Sequence, residues 1–283
     1  MNIQEKKEFI KENYHKMSTR KLGKVIGVSG RTVSYHCRNM GLMLTKNKHN
    51  VNQSLYKNLN NKNFIYLLGF LWADGYLGYY PNGQSHSTRI ETVLSDSEHI
   101  CGIIDKLDIK YTISKRNREN RQPQQTIFIS DSAFSQFLVN NFKFDKKSYI
   151  SHEHILEKIP ENLRVYWFQG YMDGDGFILG EYLNKEKKTR ISRGKIEFSS
   201  SYDQEWDYIS KIIKNLGCDF TIPKYISKKG FKSSKIYMSK VDNCRRFLEW
   251  LYEDPSLCLE RKYKKYEEFY LKYDKKNIIK GFD

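Results

Sequence analysis

At 283 residues the chain can hold two or three compact units with a substantial core. Its 49 Lys and Arg against 33 Asp and Glu leave a formal net charge of +16, which points to a polyanionic partner. No apolar run approaches about 18 residues and no signal peptide precedes the first helix, so a membrane or secreted role is disfavoured and a cytoplasmic protein is expected. Five cysteines (Cys37, Cys101, Cys218, Cys244 and Cys258) are scattered without a CxxC pair, and they read as reduced thiols rather than as metal ligands or disulfides.

Residues 1–44 read as a separate unit of three short helices over 5–14, 19–26 and 29–40. Leu22, Ile26, Val28 and Val33 supply the apolar spacing, Gly23 permits close helix approach, Gly27 suits a turn open to positive φ, and Ser29 can cap the next helix. This stretch resembles the helix-turn-helix family. The resemblance implies that the third helix enters a major groove, with Ser29, Arg31, Thr32, Ser34, Tyr35 and Arg38 facing DNA. Residues 45–63 are rich in Asn and Lys with no sustained apolar period, and they read as a linker between the two DNA-binding units.

The remainder divides into halves over 64–160 and 161–283. Each is read as a helix, two strands, a helix, two strands and a helix, giving an α+β fold of two αββαββα repeats. Each half opens on an apolar, helix-like run ending in Asp-Gly: LLGFLWADG at 67–75 and FQGYMDGDG at 168–176. A small-xxx-small pair precedes each acid, Gly69 and Ala73 before Asp74, and Gly170 and Gly174 before Asp175. Residues four apart share a helix face, so each run offers a flat strip on which another backbone can pack.

The acid sits where a helix C-terminus repels it by about 0.3–1 kcal/mol, and its occurrence twice needs a cause. If the helices pack side by side, Asp74 and Asp175 meet. At a separation of about 5 Å they would repel by roughly 3 kcal/mol at an effective dielectric near 20. A divalent cation reverses that sign, and oxygen-only ligands point to Mg2+ rather than zinc, with Mn2+ able to substitute. Two acids and a hydrated metal suit phosphodiester hydrolysis. Asp173 lies about 200° around the helix from Asp175 and is expected to be solvated or salt-bridged.

The paired motifs resemble those of the LAGLIDADG homing endonucleases in their single-chain, two-motif form. The first copy matches at Leu67, Gly69, Ala73, Asp74 and Gly75, with Trp72 replacing the first acid; the second matches at Gly170, Asp173, Asp175 and Gly176. Lys147-Ser and Pro160 before the second motif are similar to the approach found in family members carried by phages and introns.

The resemblance implies two sheets forming a DNA-binding saddle, and a monomer on a long, asymmetric double-stranded site. It implies Mg2+ held by Asp74 and Asp175, with the backbone carbonyls of Ala73 and Gly174 as further ligands. Cleavage of both strands would leave short 3′ overhangs. A basic residue near the metal waters is expected at Lys240 in the second half, where the first half has Asp131. Ser95 and Ser200, ending their strands, could orient water.

Basic or amide residues expected on DNA are Arg116, Arg118, Arg121, Gln125, Lys188, Arg190, Arg193, Lys228 and Lys232, many of them on phosphate. The alternatives are an RNA intron maturase and a catalytically silent DNA-binding regulator of the same fold. An intein-embedded form is disfavoured because neither terminus carries a splice-junction nucleophile, so a freestanding protein of a phage-infected or prokaryotic cell, or of an organelle, is expected.

Overall fold

The computed structural model describes residues 1–14, 17–42, 50–80, 83, 85–116, 123–184, 186, 191–201 and 204–271, with the side chains of Arg38, Arg116 and Ser201 excepted. The chain divides into two units, Met1–Lys48 and His49–Asp283.

In the first unit, α1 (Ile3–Asn13) starts with a reciprocal cap in which Asn2 and Glu5 each accept from the other's backbone. α2 (Thr19–Ile26) is capped by Ser18 and stops at Gly27, whose φ of 68° lies in the left-handed region. α3 (Gly30–Asn39) follows after a short turn. Ile10, Leu22, Ile26, Val33 and Cys37 form the core. A Cβ on Gly23 would fall 2.5 Å from the Val28 carbonyl oxygen, so this glycine is what lets the turn fold back onto α2.

The second unit begins earlier than its composition suggests. The expected linker over 45–63 is cut short by α4 (Gln53–Asn58), and Val51, Tyr56 and Leu59 are buried in the main core. Val51 donates its backbone N–H to Asp131 at 3.0 Å, and Asn50 donates to the Ser130 carbonyl. Three apolar residues spaced through a polar stretch supply enough burial to dock it. The part of that linker over 45–49 lies outside the described residues.

The first repeat runs α5 (Lys62–Asp74), β1 (Gly75–Tyr79), β2 (Ser85–Val93), α6 (Leu94–Lys106), β3 (Thr112–Arg116), β4 (Gln124–Ile129) and α7 (Ser132–Phe142). A short helix α8 (Glu153–Leu156) leads into the second. That repeat runs α9 (Arg164–Asp175), β5 (Phe177–Tyr182), β6 (Ile191–Ser201), α10 (Asp207–Asn215), β7 (Lys224–Ile226), β8 (Lys232–Met238) and α11 (Val241–Leu251), and α12 (Glu260–Tyr266) follows. Both repeats are αββαββα as expected, and each builds a four-stranded antiparallel sheet, ordered β1-β2-β4-β3 and β5-β6-β8-β7.

Alternation sets the faces of these sheets. Ile90, Ile127 and Ile129 in the first, and Ile178, Ile196, Phe198, Ile236 and Met238 in the second, are buried. The intervening residues face the other way. At the centre, α5 is buried on all sides from Phe64 to Trp72, and α9 from Trp167 to Asp173, as befits helices inside a core.

Candidate active site

The two central helices touch at their glycines. A Cβ on Gly69 would sit 2.0 Å from the Trp167 carbonyl oxygen, and one on Gly170 would sit 2.0 Å from that of Tyr66. The expected strip of small residues is therefore the helix contact itself, and any side chain there would drive the backbones apart. One turn on, a Cβ on Gly174 would meet the Ala73 Cβ at 2.4 Å and the Asp74 carboxylate oxygen at 3.4 Å. The contact carries Asp74 to the residue beside Asp175.

The electrostatics follow from that closeness. Loss of hydration, and then the Asp175 charge, push the Asp74 carboxyl up to about 6, against the pull of Lys147, Arg261 and Lys262. Loss of hydration also raises Asp175, although Lys147 and Lys262 draw it down. Repulsion between the two charges is mutual, and it adds to the loss of hydration that both carboxyls suffer.

Lys147 and Lys262 were not expected here. Lys147 donates to the carbonyls of Leu71, Trp72 and Ala73, at 3.2, 2.7 and 2.7 Å. An ammonium has three N–H groups, so it is saturated as the cap of α5 and acts at the site through its charge. Lys262 donates to the Gly176 carbonyl just past α9. Burial pulls both ammonium groups down to about 8, against the charge of the neighbouring acids. Arg261 binds Asp96 at 2.7 Å and lies close enough to the Asp173 carbonyl to donate at 3.4 Å.

This geometry corrects several expectations. The Ala73 carbonyl, proposed as a metal ligand, is already bound by Lys147. Lys240 is exposed and paired with Asp219 at 2.6 Å, because β8 ends two residues before it and its side chain turns outward. It is not among the charges acting on either acid. Asp131 is buried as the cap of α7. Ser95 lies within α6, not at the end of β2.

Asp173 does point away from Asp175 but is fully buried, accepting from the Tyr66 hydroxyl and the Leu259 N–H, both at 2.7 Å. At the equivalent place in the first motif Trp72 is also buried, packed edge-on against Phe144, His152 and His154. The sixth motif position is structural in both copies.

Ser200 stands where expected. A cavity of 250 Å3 is lined by Trp72, Ala73, Lys147, Ser148, Tyr171, Asp175, Ser200 and Lys232. The Ser200 hydroxyl can donate to Gln204 at 3.2 Å. Among the described residues no three His, Cys, Asp or Glu side chains gather as a metal cage. Two adjoining carboxylates with raised pKa values, together with the Gly174 backbone, do fit a partly hydrated hard cation, which asks for few protein oxygens.

Of the expected DNA contacts, Arg193, Lys228 and Lys232 are exposed. Gln125 is not: it shares the buried face of Ile127 and Ile129 and is 8% exposed, one residue out of phase with the open face. Arg118, Arg121, Lys188 and Arg190 lie outside the described residues, as does the Arg116 side chain. In the first unit, Ser29 bonds the Thr32 N–H and hydroxyl, and Ser34 bonds the Gly30 carbonyl, so these hydroxyls serve α3 itself. Arg31 and Tyr35, four apart, are exposed on that helix, and the Arg38 side chain lies outside the described residues.

No protein-family model matches the sequence, and no curated protein does. Among solved structures, the chain is similar to the I-LtrWI LAGLIDADG homing endonuclease bound to target DNA, at 14% identity over 78% of this chain and 92% of that one, with a TM-score of 0.48. It is similar to the homing endonuclease I-WcaI bound to its DNA recognition sequence, at 18% identity over 74% and 87%, with a TM-score of 0.45. A third is the I-SmaMI LAGLIDADG homing endonuclease bound to cleaved DNA, at 14% identity over 74% and 87%, with a TM-score of 0.48. No helix among the described residues is long and apolar enough to cross a membrane.

Proposed function

We propose that this chain is a site-specific double-stranded DNA endonuclease of the single-chain LAGLIDADG type, cutting one phosphodiester in each strand. The observation that carries the reading is the delivery of Asp74 and Asp175 to one spot by glycine-mediated contact of α5 and α9. A pair of crowded carboxylates is costly for a protein that only binds a polyanion, and useful to one that must hold Mg2+ against a phosphate.

Asp74, Asp175 and the Gly174 carbonyl would hold Mg2+, which when bound supplies Lewis-acid activation of water and phosphate. The chain's own contribution is positional and electrostatic. At neutral pH Asp74, at about 6, is ionised and able to bind a cation. Lys147 and Lys262, at about 8, still carry protons, and their charges favour the negative charge that builds on phosphorus oxygens. Ser200 and Lys232, which line the cavity with Asp175, orient water and a backbone phosphate.

The open faces of the two sheets lie along the duplex. The three-helix unit adds a second contact, with Arg31 and Tyr35 on DNA. One chain supplies both halves, so a monomer suffices.

The test is incubation of the purified protein with Mg2+ and DNA spanning its own gene's insertion site, followed by mapping of the ends. Paired cuts with short 3′ overhangs, lost in Asp74→Asn and Asp175→Asn while binding persists, support the reading. Intact DNA under these conditions with tight, selective binding refutes cleavage.

A further inference from the structure

The two sheets are alike in register but opposite in charge at one place on their open faces. In the first, Tyr76, two residues past the acid, pairs with Arg89, which pairs with Phe128. In the second, Phe177, again two past the acid, pairs with Glu197, which pairs with Tyr237. Arg89 and Glu197 thus occupy equivalent positions, each between two aromatic residues.

Arg89 is held for display. Its guanidinium lies 5.9 Å from the Tyr76 ring centroid and 5.2 Å from that of Phe128, and its Nε donates to Ser87 at 3.2 Å. It reaches this place by lying across Gly78, where an added Cβ would come 2.4 Å from Nη2. In the second sheet the residue in register with Gly78 is Leu179, and the one in register with Ser87 is Lys195. Leu179 carries a side chain where Gly78 leaves the space that the Arg89 guanidinium fills.

The cation over the two rings there is Lys195, 5.8 Å from Phe177 and 5.2 Å from Tyr237. Glu197 binds Lys195 at 2.5 Å, and it also binds Lys235, which lies over Tyr225. Burial would raise the Glu197 carboxyl, but bonds from Lys195, Lys235 and Ser199 outweigh it and hold the group ionised. Glu197 is 7% exposed, and its carboxylate is spent on these partners. The group left to face a ligand is an ammonium, beside a 260 Å3 niche lined by Arg193, Gly194, Lys195, Tyr225, Tyr237 and Ser239.

We infer that Arg89 and the Lys195–Glu197–Lys235 triad are the specificity-determining groups nearest the cut, and that they read the two half-sites with unequal stringency. A planar fork fixed between rings matches guanine O6 and N7 at two points, and a good bidentate pair discriminates by roughly 5- to 100-fold. A tethered ammonium is a single-point donor that accepts either purine. The innermost base pair of the first half-site is read as guanine, and its counterpart in the second half is read loosely. The inference rests on the proposed DNA reading of the open sheet faces.

The experiment is selection of bound duplexes from a randomised double-stranded DNA library by the full chain and its variants, with Ca2+ in place of Mg2+ to prevent cutting. Wild type is expected to enrich guanine at one inner position and purine at its partner. Arg89→Lys reduces the guanine preference by roughly 5-fold or more at that base pair alone, while the thermal midpoint stays unchanged. The triple variant Leu179→Gly, Lys195→Ser, Glu197→Arg copies the first set into the second sheet and creates a guanine preference there. Selection unchanged in Arg89→Lys, or a uniform loss of affinity across all sequences, overturns the inference while leaving duplex binding intact. Failure of the wild-type chain to bind any duplex overturns this inference and the proposed function together.

Discussion

Asp74→Asn removes a charge that the fold holds at a cost. The carboxyl is pushed from 3.8 up to about 6, first by loss of hydration and then by Asp175. At about 1.4 kcal/mol per pKa unit, that shift of roughly two units corresponds to about 3 kcal/mol of stability missing from the metal-free protein at neutral pH. A raised carboxyl means that the folded state binds the proton more tightly than the unfolded one. Stability is therefore lost as pH rises from about 4 to about 6, and stays lost above. The neutral amide escapes the penalty. In EDTA at pH 7.5, Asp74→Asn is expected to raise the thermal midpoint by roughly 5–10 °C, while at pH 4, where wild type is itself protonated, the gain disappears.

The same variant loses cleavage in Mg2+. It also loses most of the stabilisation that Mg2+ gives the wild type, because binding to the folded state alone is what raises the midpoint. Differential scanning calorimetry across pH, with and without metal, measures both. A variant no more stable than wild type in EDTA would show that the two acids are not crowded, and the electrostatic argument for a cation between them would fall.

Gly170→Ala places a methyl against the Tyr66 carbonyl and is expected to cost about 3 kcal/mol in urea unfolding; a cost under about 1 kcal/mol would contradict the helix contact. Lys147→Met and Lys262→Met each slow cleavage of both strands by about 100-fold or more with duplex binding retained, as gel shift and end mapping report. Lys240→Ala, at an exposed pair with Asp219, leaves the cleavage rate unchanged, and a large loss there would restore the expectation it replaced. Arg31→Ala with Tyr35→Ala weakens duplex binding by about 10-fold without changing the rate at saturating protein, and unaltered affinity would remove the three-helix unit from the DNA contact.

Much of this was legible because its signals are local and periodic. Small residues four apart foretold the contact of α5 with α9, and the doubled αββαββα order placed each acid at the entry to its sheet. What escaped depends on tertiary return. Lys147 and Lys262 reach back 74 and 86 residues to the helix ends they cap, and nothing in their neighbourhoods sets them apart in a chain with 49 basic residues. The Lys147-Ser junction stands out in the sequence, but a helix C-cap made by a distant side chain has no sequence spacing to read. Gln125 lies one step of strand alternation from the open face, and a single step inverts the face. The helix angle of Asp173 fixes its direction but not what covers that face, which is Tyr66 and Leu259. The supposed linker hid Val51, Tyr56 and Leu59 among polar residues.

The lysines also explain how one spot can hold two acids. Both motif helices aim their negative ends at the place where the carboxylates meet, so dipoles and charges repel together. Each end has its own lysine: Lys147 covers the last carbonyls of α5, and Lys262 the one just past α9. The two are not equivalent in sequence, for Lys147 follows α7 by five residues, whereas Lys262 lies within α12 beyond an extra turn at Pro255–Leu257. Yet the pull of each falls on both acids, because the acids adjoin. A charge shared in this way cannot serve one strand alone, and for that reason loss of either lysine should slow both cuts, in contrast to the open sheet faces, where a guanidinium at Arg89 is answered by a Lys195–Glu197–Lys235 cluster.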